Sequence, residues 1–290
     1  MERIALDVFA HEPVIRIGVF IGVFAVMALW ELLAPRRTLT VSKSVRWTNN
    51  LALVALNTIA LRVAFPVAAT GLALHATDQG WGLLQQVTLP ETLRVVAGVV
   101  VLDLAIYFQH VLFHAVPTLW RLHRVHHVDL DFDVTTGTRF HTLEIFLSMA
   151  IKFAVILALG PPALAVLIFE VVLNAASMFN HANVRIPSAI ERVVRWFIVT
   201  PDMHRVHHSV LPNETNSNFG FNLSVWDRLF GTYRAQPAKG HTEMTIGLKG
   251  FRDPREVDRL AGMLWLPFVS SDDEYAINRR SPTSIPKTPS

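Results

Sequence analysis

Apolar and polar positions alternate in long blocks rather than at the period of a soluble helix or strand. Val14–Leu33 is almost wholly apolar, with Arg16 and Glu31 near its ends. About 20 residues of helix cross a hydrocarbon core of ~30 Å, so this block predicts a first span. Pro35 ends it, and Arg36, Arg37, Lys43 and Arg46 follow. Leu51–His75 predicts a second span with Arg62 and Pro66 inside it, a functional arginine or a bent, partly interfacial segment. Leu93–Val116 predicts a third. Leu143–Leu159 and Pro162–Phe179 flank Gly160-Pro161-Pro162, a strong turn signal, and predict a helical hairpin near the lower length limit for crossing.

Charge orients these blocks. The Arg36–Arg46 loop is basic, whereas Ala76–Thr92 has neither Lys nor Arg, so the first is expected in the cytoplasm and the second outside. The N-terminus then lies outside, and the ends of the third span and of the hairpin face the cytoplasm. Glu2, Asp7 and Glu12 precede the first block where a cleaved signal would be basic, so that block is expected to be a retained anchor. Arg185–Trp265 is mixed, basic and soluble-looking. Three regions are expected: N-terminal anchor helices over 1–92, a central region over 93–240, and a soluble segment over 241–290 whose tail, 270–290, is expected to be disordered.

Composition agrees with a membrane protein. The chain is 51% hydrophobic and only 17% charged, where soluble domains carry about 25% charge; its mean hydropathy is +0.36. A net charge of +3 without a basic, aromatic-interleaved stripe excludes nucleic acid as a partner. The absence of Cys excludes disulfides and thiolate metal sites.

Histidine supplies the candidate chemistry. His110 and His114 end the third span, one turn apart. His123, His126 and His127 repeat the spacing of His204, His207 and His208. Residues three or four apart share a helix face, while the adjacent pairs diverge by about 100°, which suits two ions better than one. His181, after another apolar block, is a ninth candidate ligand, and His141 an uncertain tenth. An all-imidazole set suits iron, copper, nickel or zinc. His11, His75 and His241 stand outside the boxes.

The boxes H-x3-H and twice H-x2-H-H resemble those of the fatty acid hydroxylase superfamily, which includes sterol desaturases, sterol methyl oxidases and alkylglycerol monooxygenase. The likeness extends to Asp103, Tyr107 and His110, to Arg139, His141 and Glu144, and to Phe179, His181 and Asn183. It also covers Asn218-Phe219-Gly220 with Trp226-Asp227 and Leu229–Tyr233. It runs over about residues 95–235. The resemblance implies an all-α integral membrane protein of four to five embedded helices, hairpin included, with a cytoplasmic helical cap holding a di-metal site. It implies a catalytic domain over 93–240 and a non-haem di-iron centre that uses O2 to hydroxylate or desaturate a lipid.

Zinc has no redox chemistry, so C–H oxidation favours iron. Glu144, Asn183 and Asp227 are candidates to orient ligating imidazoles. Electrons are expected from a separate cytochrome b5-, ferredoxin- or flavin reductase-like donor, docked by Arg121, Arg124 and Arg205 unless these meet anionic headgroups. The competing readings are a membrane divalent-metal transporter or sensor, which would place ligands near mid-membrane, and a non-redox zinc hydrolase.

Overall fold

The computed structural model describes residues 9–270 and 274–278. Among them the chain is helical, with isolated bridges in place of strands. The long helices are α1 (Glu12–Leu33), α2 (Lys43–Ala64), α4 (Glu91–Ala115), α6 (Thr142–Leu159) and α7 (Ala163–Asn180), with the shorter α3 (Ala69–Asp78) and α5 (Pro117–His127) between them. Five segments are long and apolar enough to cross a membrane, with α2 and α3 forming one interrupted span. The chain is therefore a multi-pass membrane protein. The break between α2 and α3 falls at Phe65, the residue before Pro66, where proline disfavours helix. Arg62, in the last turn of α2, is exposed.

The hairpin turns on Gly160, at φ 63°. A Cβ there would also lie 2.2 Å from the Trp81 carbonyl, so glycine is required for both conformation and space. α7 is the central helix, packed by α1, α3 and α4. Small residues let the backbones approach, with Ala69, Ala73, Ala163 and Ala165 all buried. Such packing suits a membrane, where apolar burial between helices gives little driving force. Leu29, Leu33, Ile59 and Val63 point outward.

The polar Asp129–Thr138 segment is buried and ion-paired. Arg46 of α2 holds Asp129 through Nε at 2.6 Å and Asp133 through Nη1 at 2.5 Å, with all three side chains fully buried. The Thr40 and Val41 amides donate to Asp131. Burying acids is costly unless they are paired and hydrogen-bonded, and here the partners come from the α1–α2 connection and α2 itself.

Two expectations are corrected. Within the tail over 270–290, residues 274–278 are ordered against the core: Tyr275 stacks 5.8 Å from Trp120 and the Ile277 amide donates to the His114 carbonyl. Residues 271–273 and 279–290 lie outside the described residues. The soluble-looking Arg185–Trp265 stretch also contains an apolar shelf. It comprises α8 (Ser188–Val194) and, beyond α9 (Pro201–His207), α10 (Val225–Leu229). The Leu223 amide and Trp226 Nε1 donate to Asp103 Oδ2, and the Phe230 ring lies 5.0 Å from Phe108. Both anchors are inside the α4 span, and Asp103 is about 10 Å of helix before His110. The shelf leaves Trp196 62%, Phe197 67% and Leu229 65% exposed.

Candidate metal centre

Pro117 stops α4 and opens α5, which turns the second box back over the first. α9 begins at Thr200, whose hydroxyl caps the Met203 amide, and brings the third box in from the other side. His181 follows the last residue of α7. Gly137 passes beside it, where a Cβ would lie 2.3 Å from the Ser177 carbonyl and 3.1 Å from His181 Nδ1.

The structure gathers nine buried imidazoles into two groups. His110, His114, His123, His127 and His207 form one; His126, His181, His204 and His208 form the other. Within each group one ligating atom per residue lies within 4.8 Å of all the others. The adjacent pairs His126–His127 and His207–His208 are split between the groups, as their angular divergence on a helix requires.

Hydrogen bonds fix which nitrogen faces inward. Nδ1 of His110 donates to the Phe219 carbonyl at 2.8 Å, and that of His207 to the Ser217 carbonyl at 2.7 Å. His181 Nδ1 donates to the Ser177 carbonyl at 2.8 Å. His114 Nδ1 meets Asn216 Oδ1 at 3.0 Å, and His123 Nδ1 meets Glu144 Oε1 at 2.6 Å. With the proton on Nδ1, Nε2 presents a lone pair to the cluster. The Nε2 atoms of His110 and His123 are then only 3.1 Å apart, as are those of His114 and His127, and of His126 and His181.

For His110 and His123 both Nδ1 protons are held by acceptors, so two Nε2 lone pairs face each other and repel unless a cation lies between them. Both ring nitrogens of His204 and His208, and Nε2 of His207, are also buried without a hydrogen-bond partner among the described residues. Each such orphan costs about 1–3 kcal/mol. Burial, followed by the neighbouring imidazoles, holds His126, His127, His204, His207 and His208 well below the usual histidine range. Burial brings His181 down to about 3. Neutral, orphaned and convergent imidazoles fit a metal site.

Aromatic rings wall the groups off from water. Phe140 stacks on His126 at 4.5 Å, Phe132 on His181 at 5.4 Å, and Phe219 packs 5.0 Å from His114.

His141 joins neither group. It accepts from the Leu143 amide as the N-cap of α6, and its Nε2 faces the Leu264 carbonyl. Of the three orienting candidates, Glu144 touches a boxed histidine. Asn183 instead pairs with the backbone of Arg37, and Asp227 receives the Phe219 and Gly220 amides, reaching His110 only through the Phe219 backbone. The docking arginines are also reassigned. Arg124 and Arg205 are fully buried. Arg124 donates to the Leu266 carbonyl and Arg205 pairs with Asp202, while Arg121 binds the Pro267 and Val269 carbonyls. All three guanidiniums make hydrogen bonds or ion pairs within the cap, and burial keeps Arg124 and Arg205 from meeting a partner at the surface. Asn216 was missed from sequence; its nearest signal is its place two residues before Asn218-Phe219-Gly220.

The fatty acid hydroxylase family model matches residues 95–232, which contain all nine clustered histidines. Over those residues the chain is similar to a fatty acid hydroxylase domain. It is 28% identical over 246 residues to ornithine lipid hydroxylase OlsE of Rhizobium tropici, covering 80% of this chain and 70% of that protein. It is 26% identical to alkylglycerol monooxygenase of Homo sapiens, covering 47% of this chain and 30% of that protein. Cholesterol 25-hydroxylase of Homo sapiens is 28% identical, with 46% and 48% covered. The chain thus spans about half or less of these last two relatives. No solved structure matches it. These relatives are named as hydroxylases and a monooxygenase.

Proposed function

We propose that the protein is a non-haem di-iron oxygenase that oxidises a membrane lipid, drawing electrons from a separate donor. The observation that carries this reading is the division of nine buried imidazoles into groups of five and four. When bound, a redox-active metal pair supplies the electrons that activate O2 against an unreactive C–H bond. The chain's own residues do the rest. His110, His114, His123, His127 and His207 would hold one ion, and His126, His181, His204 and His208 the other. Glu144 keeps the His123 proton on Nδ1, and Phe132, Phe140 and Phe219 exclude water. The names of the relatives, two hydroxylases and a monooxygenase, favour hydroxylation over desaturation.

The centre would face the cytoplasm. Pro35 bridges to Val184 and the Arg36 amide donates to the Asn183 carbonyl, so the basic loop after α1 lies on the same side as His181. A basic loop of this kind is retained in the cytoplasm. A transporter reading requires ligands midway along a path through the membrane, whereas the groups here gather at the ends of α4 and α7.

The test is metal analysis of iron-reconstituted protein in lipid nanodiscs, coupled to mass spectrometry of lipid oxidised under labelled O2. About two irons per chain with labelled product is expected. Full activity with one ion or none, or equal activity with zinc, would overturn the proposal.

A further inference from the structure

A cavity of about 330 Å³ lies among the membrane helices, beneath the histidines. Its upper wall includes Phe140, Glu144 and Phe221. These touch the metal centre: Phe140 stacks on His126, Glu144 holds His123, and Phe221 packs against His110, His181 and His204. Ile106, Ile145, Met149 and Leu173 line it further down. This volume suits one hydrocarbon chain, near the lower limit of ligand cavities at ~300 Å³.

The far wall is charged, although it lies within the spans. Glu170 of α7 receives Lys152 of α6 at 2.5 Å on Oε1 and Arg16 of α1 at 2.6 Å on Oε2. Arg16 also bonds Glu12, whose two carboxylate oxygens both accept from Thr70. Arg16, Lys152 and Glu170 all line the cavity. Ionisable groups inside a membrane are costly and mark functional paths.

The balance of charges and hydrogen bonds defines the ligand. Two cations face two carboxylates, so the cluster has no need of a further ion. All four carboxylate oxygens already accept. The donors are not exhausted: Lys152 uses one of its three N–H groups, and Arg16 Nη1 has no partner among the described residues. What the wall lacks is a neutral acceptor. We infer that the cavity binds a single-chain segment of an amphiphile, with a neutral oxygen acceptor, an ester, amide or hydroxyl oxygen, docked on Arg16 and Lys152 and the carbon to be oxidised under the histidines.

The geometry sets the spacing. Lys152 is eight residues beyond Glu144, and Glu170 eleven before His181. Helix rise therefore separates the charged wall from the histidine end by about 12–16 Å. An extended chain advances about 1.2 Å per bond. The docked oxygen and the oxidised carbon are thus about ten to thirteen bonds apart, and the wall measures the site of oxidation from the oxygen. The inference relies on the hydroxylase reading for its chemistry but not for its binding.

Binding is measured first, in metal-free protein in nanodiscs, with radiolabelled straight-chain methyl esters and alkanes of matched length. The ester should bind more tightly than the alkane. The variant combining Lys152→Met with Glu170→Gln removes the Lys152 donor without stranding a carboxylate and leaves Arg16 paired with Glu12. It should weaken ester binding about tenfold or more and leave the alkane unchanged, while Lys152→Arg alone, which keeps a cationic donor, retains ester binding. Equal binding of ester and alkane in the unaltered protein, or equal losses for both in the variant, would overturn the inference. Iron-loaded protein with esters of increasing length then reads the ruler. The oxidised carbon should stay at one distance from the ester; a position that tracks the methyl end would overturn it. Loss of all oxidation with ester-selective binding intact would instead defeat the hydroxylase reading alone.

Discussion

His123 Nδ1 lies 2.6 Å from Glu144 Oε1, so the carboxylate at the start of α6 sets the ring orientation of a histidine on α5. Outer partners of this kind are typically worth 10–100-fold in metal affinity or activity. Glu144→Ala should lower iron affinity by that order, and Glu144→Gln, which retains an acceptor, by less. Competition with a calibrated chelator reads both, and equal affinity in Glu144→Ala and unaltered protein would refute the role.

His126 and His207 lie in different groups. If the groups act as one centre, His126→Ala and His207→Ala should each abolish oxidation, and the double variant should be no worse, because residues that act as a unit are non-additive. Substantial turnover by a folded, iron-loaded His126→Ala protein would show that the ligand set is wrong.

His241, which looks isolated in sequence, is 4% exposed and its Nε2 lies 3.6 Å from Asp202. Burial lowers it to about 4, against the pull of Asp202 and with help from Arg205, Arg36 and Arg195. The unfolded chain then binds a proton at higher pH than the folded one. The stabilising contribution is complete above about pH 6.5 and is lost as pH falls toward 4. His241→Gln should therefore lose about 2–3 kcal/mol less than the unaltered protein over that window. Denaturant unfolding at several pH values measures the difference, and parallel pH slopes would contradict it. At neutral pH the substitution should be felt, since the site is buried.

The chain has no Cys, so single cysteines report topology directly. With a cytoplasmic centre, Thr77→Cys should react with an impermeant thiol reagent in intact cells, and Gly240→Cys only after permeabilisation. The reverse pattern would invert the orientation.

Much of this arrangement is legible because it is local. Apolar runs reveal spans through their length, and the histidine boxes reveal shared faces through intervals of three and four. What escapes a local reading depends on distant partners. Asp129 and Asp133 look solvated until Arg46, 83 and 87 residues away, is brought to them. Arg124 and Arg205 look exposed because nothing nearby indicates that the Leu266 carbonyl and the Phe132 ring will enclose them. Asp227 carries a motif-like position, yet its effect passes through the backbone of another segment.

Tyr275 and Ile277 have a consequence for biogenesis. The Tyr275 carbonyl receives Asn216 Nδ2, the same side chain whose Oδ1 meets His114, and the Ile277 amide caps the His114 carbonyl. The first histidine group is thus covered by the last described turn of the chain. On the ribosome every histidine of that group is made before its cover, and the nascent cap passes through a stage in which those imidazoles are present and still open to an arriving ion.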